Sequence, residues 1–238
     1  MSSLTEVNLE DVKFKLYEKL KPSGWGDKLK TFILSESFTD ILKKLHEEAM
    51  DGKRFTPVLK QLFRAFEECP YKDLKVVMIG QDPYPYANVA DGIAFSSSNV
   101  EFTPPSLKFM FGEIEETLGL TNYERVPDLK RWSNQGILML NSSLTTRIGA
   151  VGTHYELWRP FITFLLDILN SYNNGLIYVF MGKVAKQYED HVSDNNFKLF
   201  TTHPASAAHT LKEKWDSGDV FNQINKLVEE NYKEKIIW

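Results

Sequence analysis

Thiols are almost missing from this chain. Cys69 is the one cysteine among 238 residues, which excludes an internal disulfide and any thiolate metal cluster. The five histidines are scattered without ligand spacing. A reducing compartment and a metal-free site are therefore expected, cytoplasmic or, for a eukaryotic or viral source, nuclear or at a replication site. Long apolar runs are missing too. The first twenty residues, MSSLTEVNLEDVKFKLYEKL, contain no continuous apolar core of a signal peptide, and no segment approaches the length needed to cross a bilayer. A soluble chain without a standard secretion signal is expected, with no membrane partner. Basic excess is also absent. A formal charge of −4 argues against a protein that coats polyanions nonspecifically, while leaving room for a locally basic groove. No serine nucleophile elbow, Walker loop or GxGxxG is present, so esterase-like, nucleotide-hydrolysing and dinucleotide-binding chemistries lose their usual signatures. Repeats, low-complexity tracts and linkers are lacking, and residues 1–238 read as one domain, with 1–23 as an N-terminal helical extension.

The chain is organised around VVMIGQDPYPY, Val76 to Tyr86. Its apolar, β-branched start suits a central strand buried on both faces, and Gly80 marks the end of that strand. Gln81 and Asp82 then fall at the strand's carboxyl edge, where ligands bind in open α/β sheets. Pro83 and Pro85 each fix φ and remove a donor, so Asp82 and Tyr84 are expected on a stiff backbone. An Asp-Pro pair after a strand is also an ordinary turn initiator, and alone it carries no function.

Residues 1–70 read as helical. Ser35 to Met50 shows a helical apolar stripe that stops at Gly52, and Thr56-Pro57 reads as the cap and first residue of a second helix running to Phe66. GWGDKLK, Gly24 to Lys30, reads as a turn feeding a helix. Beyond the central strand, Pro104 and Pro105 precede a helix with Ser106 in its first turn, which can be a plain helix start or an anion-contacting loop. Three more strands are expected: Gly136 to Thr146, apolar until Asn141; Gly175 to Lys183, ending at Gly182; and Phe197 to Ser206, ending at His203. A long amphipathic helix around Leu157 to Leu169 separates the first two of these, and a last helix runs from about Gly218 to Tyr232. The β–α–β alternation predicts an α/β fold with a four-stranded parallel sheet flanked by helices on both faces. Four strands then deliver Asp82, Asn141, Gly182 and His203 to one edge, with Tyr84 and Phe95 as aromatics able to hold a flat polar ring.

Taken together, GQDPYP, the DGIAFS that follows with Phe95, LMLN ending at Asn141, and HPAS after His203 resemble the signature segments of the family 1 (UNG-type) uracil-DNA glycosylases. The resemblance extends over about residues 24–238 and includes the tryptophan-containing start at Gly24 to Lys30. It implies an enzyme of base excision repair that flips uracil out of single- or double-stranded DNA and hydrolyses its N-glycosidic bond, monofunctional, monomeric, and without metal or organic cofactor. It assigns Asp82 and His203 to catalysis and Gln81, Tyr84, Phe95 and Asn141 to the uracil. Phe95 would stack on the base, Asn141 would pair with its N3–H and O4, Tyr84 would exclude the thymine methyl group, and His203 would donate to O2. Pro104, Pro105, Ser106, Gly182, Lys183, Ser206, Ala207 and Leu211 fall in the segments that meet the DNA backbone or enter the duplex.

Two departures stand out. Pro85 occupies a position that is histidine in most members, as in the glycosylases carrying GxDPYP, among them poxviral ones that also serve replication. Where the family reads HPSPLS, with two phosphate-gripping serines and a wedge leucine, this chain has Ala205, Ala207 and Ala208. A preference for single-stranded substrate is expected unless Leu211 supplies the wedge. Two rival readings are a DNA-binding replication scaffold with a weakened site, open to a replication partner or a protein inhibitor, and a flavodoxin-like small-ligand module.

Overall fold

The N-terminal third supplies a helical wall. In the computed structural model, which describes residues 8–99, 101–171, 175–210 and 213–238, α1 (Leu9–Leu20), α2 (Trp25–Ile33) and α3 (Glu36–Met50) come first. Asn8 caps α1 and Ser35 caps α3, each side chain accepting from first-turn N–H groups left without helical partners. Leu16, Tyr17 and Leu20 of α1 are buried, so the stretch expected as an extension contributes to the core. Trp25, Phe32, Phe38, Phe63, Phe66 and Phe161 form a continuous aromatic cluster with ring centroids between 5.0 and 6.0 Å.

The helix expected from Thr56 to Phe66 is replaced by shorter pieces. Phe55–Thr56 is a strand, β1; Leu59–Gln61 is a 3₁₀ turn; and only Arg64–Glu68 is α-helical, as α4. Thr56 is held in strand pairing with Thr146, and Pro57 follows in a bend instead of opening a helix. Leu62, Phe63 and Phe66 are buried all the same. Their spacing thus reported core positions without a continuous helix.

The sheet then follows as expected. β2 (Val76–Gly80) leads through α5 (Pro105–Leu118) and α6 (Lys130–Ser133) to β3 (Ile137–Asn141). A short β4 (Thr146–Arg147) pairs antiparallel with β1. After α7 (Tyr155–Asn170) come β5 (Ile177–Met181), α8 (Lys183–Lys186), β6 (Phe197–Thr201), α9 (Ala205–His209) and α10 (Val220–Tyr232). The four long strands are parallel in the order β3-β2-β5-β6. Every residue of β2, β3 and β5 is buried, which requires cover on both faces and explains their unbroken apolar sequences. Among the described residues no helix is long and apolar enough to cross a membrane.

One buried ion cluster ties the helical wall to the loops above the sheet. Glu48 of α3 accepts from Nε of Arg147 at 3.0 Å and again from Nη2, and its Oε2 lies 3.0 Å from Nε2 of His154. Nδ1 of His154 is 2.8 Å from the Thr145 hydroxyl, which also accepts from Nε1 of Trp158 at 2.7 Å. Both ends of the 147–154 segment are thereby fixed to α3. The Arg147 hydrogen bonds, opposed by burial and aided by His154, pull the Glu48 carboxyl down from 4.5 to about 2. A depressed folded-state pKa stabilises above the unfolded pKa and loses that contribution as pH falls toward the folded one. For Glu48 this amounts to about 3 kcal/mol. Glu48→Gln should therefore cost most stability above pH 5, with the gap from wild type narrowing as pH drops from 4.5 toward 2. Urea unfolding across that range measures it, and a gap independent of pH would show that the carboxylate's charge is not what stabilises.

Candidate active site

A cavity of about 330 Å³ opens at the carboxyl ends of β2 and β3. It is lined by Gln81, Asp82, Tyr84, Phe95, Asn141 and His203, the whole group assigned to uracil and catalysis, together with Pro105 and Ser106. These residues come from four separate chain segments. Their meeting is a consequence of strand register.

Gly80 and Asn141 are register partners in the parallel ladder. A Cβ on Gly80 would lie 2.9 Å from Oδ1 of Asn141 and 2.9 Å from Cε2 and Cζ of Phe95. Glycine is thus needed there because two site side chains close over it, not to permit an unusual turn. Asn141 is buried, and among the described residues no hydrogen bond holds its amide, so its donor and acceptor remain for a ligand.

Phe95 is held in a left-handed conformation, φ 64°, which bulky side chains rarely adopt. Several contacts over-determine it. The Tyr84 hydroxyl donates to the Phe95 carbonyl at 2.8 Å, and the Ala94 N–H donates to Met139 O of β3 at 3.1 Å. Asp91, fully buried, accepts from Ile93 N–H and from the Ser96 hydroxyl and faces Arg64 across 2.6 Å. Arg64 in turn binds both oxygens of Asp128. The same bond that holds Phe95 aims Tyr84, whose phenol burial pushes well above its ordinary range.

Asp82 stands at the opposite wall. Its Oδ2 accepts from the Gly152 N–H at 2.7 Å, and Gly149 N–H donates to Pro85 O at 2.8 Å. The 147–154 segment, already fixed to Glu48, therefore clasps the GQDPYP turn from above. Burial raises the Asp82 carboxyl, opposed first by the Gly152 N–H and then by the hydroxyls of Thr146 and Tyr155. His203 lies two residues beyond β6, its ring 5.4 Å from that of Phe95. Its Nδ1 accepts from the Ala205 N–H at 3.1 Å, which places the proton of a neutral imidazole on Nε2 and makes that nitrogen the ring's donor.

The remaining expected residues stand apart from the cavity. Pro104 caps α5 and is buried, with Pro105 as its first residue. Gly182 packs behind His203, a Cβ there reaching within 2.9 Å of the histidine Cβ, while Lys183 is exposed at the start of α8. Ser206 is half-buried in α9. Ala207, expected where a wedge would enter DNA, is 2% exposed and belongs to the core. A small side chain suits that packing. Leu211 lies outside the described residues. Gly152, Tyr155, Glu48 and Asp91 were not singled out by sequence reasoning. Only DGIAFS, in which Asp91 stands, carried a signal, because the others act through contacts far apart in sequence.

Residues 66–228 match the family model of the uracil DNA glycosylase superfamily. A protein named uracil-DNA glycosylase from Acinetobacter baumannii (strain SDF) is 29% identical over 96% of this chain and 97% of its own length. Another so named, from Desulfitobacterium hafniense, is 30% identical over 91% of this chain and 96% of its own. The solved mimivirus uracil-DNA glycosylase shares the fold, with a TM-score of 0.80 over 98% of this chain and 89% of that one at 24% identity. With the sheet, the cavity and these relatives in agreement, the chain belongs to the uracil DNA glycosylase superfamily.

Proposed function

We propose that this chain removes uracil from DNA by the family 1 route, with GQDPYP as a variant of that family's first motif. The observation that carries this reading is the convergence of Asn141 and Phe95 over Gly80, in one cavity with Asp82 and His203. A base inside a duplex cannot reach this crevice, so the nucleotide must leave the stack, at a few kcal/mol. Phe95 then stacks on the ring. Asn141 offers an acceptor to uracil N3–H and a donor to O4, a pattern that cytosine presents reversed, so in this orientation cytosine's groups go unpaired. Sites built on such pairing discriminate by about 10⁴ to 10⁵. Tyr84, tied by its hydroxyl to Phe95 O, blocks a methyl group at C5.

Cleavage leaves positive charge on the sugar and negative charge on the departing uracil. Asp82 faces the first and positions the attacking water, while His203 donates from Nε2 to O2 and answers the second. The bond between the sugar carbon and uracil N1 breaks with its electron pair on the uracil anion, the water oxygen bonds to that carbon, and the water's proton passes to solvent, leaving an abasic site. A carboxylate about 4 Å from the developing cation is worth about 4 kcal/mol at an effective dielectric near 20, or about 10³ in rate. The cavity residues complete this route without calling on a metal or an organic cofactor.

The mimivirus structures in complex with UGI support reading this chain as open to a protein inhibitor. Exposed Lys183 and Pro105, with Ser106 buried beside them at the start of α5, are proposed to meet the DNA backbone of a monomeric enzyme.

Asp82→Asn should keep uracil-DNA affinity and lower the single-turnover cleavage rate by about 10³. Wild-type rates in that variant would remove Asp82 from the mechanism. With Ala207 packed in the core and alanines at 205 and 208, little among the described residues of this loop fills a vacated base stack unless Leu211, outside them, does so, and two backbone hydrogen bonds worth about 1 kcal/mol each are missing. Single-turnover rates are therefore expected to be at least tenfold higher on a single-stranded uracil oligonucleotide than on the same sequence in duplex form. Equal rates on both would overturn that expectation.

A further inference from the structure

The group beside Asp82 with the least accounted-for chemistry is Tyr155, the first residue of α7. Its ring packs against the turn that holds the carboxylate, since a Cβ on Gly152 would lie 2.9 Å from Cε2 of Tyr155. Its hydroxyl is enclosed and, among the described residues, has no hydrogen bond of good geometry. An enclosed hydroxyl without a partner gives up its hydrogen bond to water without replacement, so such a group calls for an explanation. Asp82 and Gln81 flank this one.

The neighbouring donors narrow the choice. Gly152 N–H is committed to Oδ2 of Asp82 at 2.7 Å. The Thr146 hydroxyl gives its proton to Ala150 O at 2.9 Å, or shares one with Thr153, so it is not a dependable donor to the carboxylate. Pro85 and Pro83 have no N–H to give. Tyr155 alone among these has a proton with no other taker.

We propose that Tyr155 is a positioning residue for Asp82: its phenol donates to the carboxylate, fixing the carboxylate's aim and favouring its ionised form as DNA closes the cavity. This rests on the role of Asp82 given above. Burial works in the opposite direction and raises Asp82. Burial also raises the Tyr155 phenol to about 12, so it is a donor throughout the working range. The groups facing Asp82 are Tyr155 from α7, Gly152 and Thr146 from the clasping segment, Gln81 from the end of β2, and His203 across the cavity, with Tyr188 near Tyr155 on its far side.

A donor to the charged form lowers a carboxyl's pKa, so its removal raises it. Tyr155→Phe keeps the ring against Gly152 and deletes the proton. Single-turnover cleavage of a uracil oligonucleotide by the full chain should then show its acid limb moved up by about one pH unit. The variant should run about tenfold slower below the limb and within about threefold of wild type above it. Binding of a non-cleavable 2′-fluorinated uracil substrate should be unchanged at high pH. An unmoved limb, with or without a uniform loss of rate, overturns the proposal, because a packing role or a limb set by His203 would leave it in place. Asp82→Asn in the same assay separates the two readings. If it cleaves like wild type, the role of Asp82 fails; if it is crippled while Tyr155→Phe leaves the limb unmoved, only the role of Tyr155 fails.

Discussion

The absence of a side chain at Gly80 is the constraint on which the site depends. Strand register sets Gly80 beside Asn141, and Phe95 comes down over both, leaving less than one methyl group's clearance. Any other residue would push apart the Phe95 ring, proposed to stack on the base, and the Asn141 amide, proposed to read its edge. The strand is buried at all five positions, so the sheet cannot slide to accommodate the intrusion. The proposed base recognition is in this sense a property of the sheet's core.

Around that point the protein arranges opposed electrostatic demands. Asp82 is buried enough for its carboxyl to be raised, yet the clasping segment supplies a backbone donor that holds it in place. That segment is anchored through Arg147 and His154 to Glu48, nearly a hundred residues away in sequence. On the other side, Arg64 and Asp91 hold the loop whose strained residue is Phe95. Two buried ion clusters thus fix the two walls of one cavity. Each anchors a loop, the element otherwise most free to move.

The sheet was legible because its signal is local. Three continuous apolar runs ended in Gly80, Asn141 and a glycine after Met181, and all three became strands of one parallel sheet. The cavity residues were legible through short motifs placed at those ends. Residues that support them were not. Glu48 lies in the last turn of α3 among other charged residues, Gly152 and Tyr155 follow an unremarkable turn, and their meaning arises only when α3, β4 and α7 pack together. The helix expected from Thr56 to Phe66 failed for a related reason: its apolar spacing reports burial, which three short pieces satisfy as well as one helix. Ala207 looked like a lost wedge in sequence and proves to be a core residue.

The central claim is that the closure of Phe95 and Asn141 over Gly80 forms the uracil site. Gly80→Ala tests it most directly, since its backbone suits alanine and only the added methyl group intrudes. Cleavage of a uracil oligonucleotide, read by alkali treatment, should fall in kcat/KM by about 10²-fold, as expected when two base contacts are displaced. Thermal unfolding of the same preparation should show the variant still folded. Undiminished uracil cleavage by a folded Gly80→Ala protein would contradict the account.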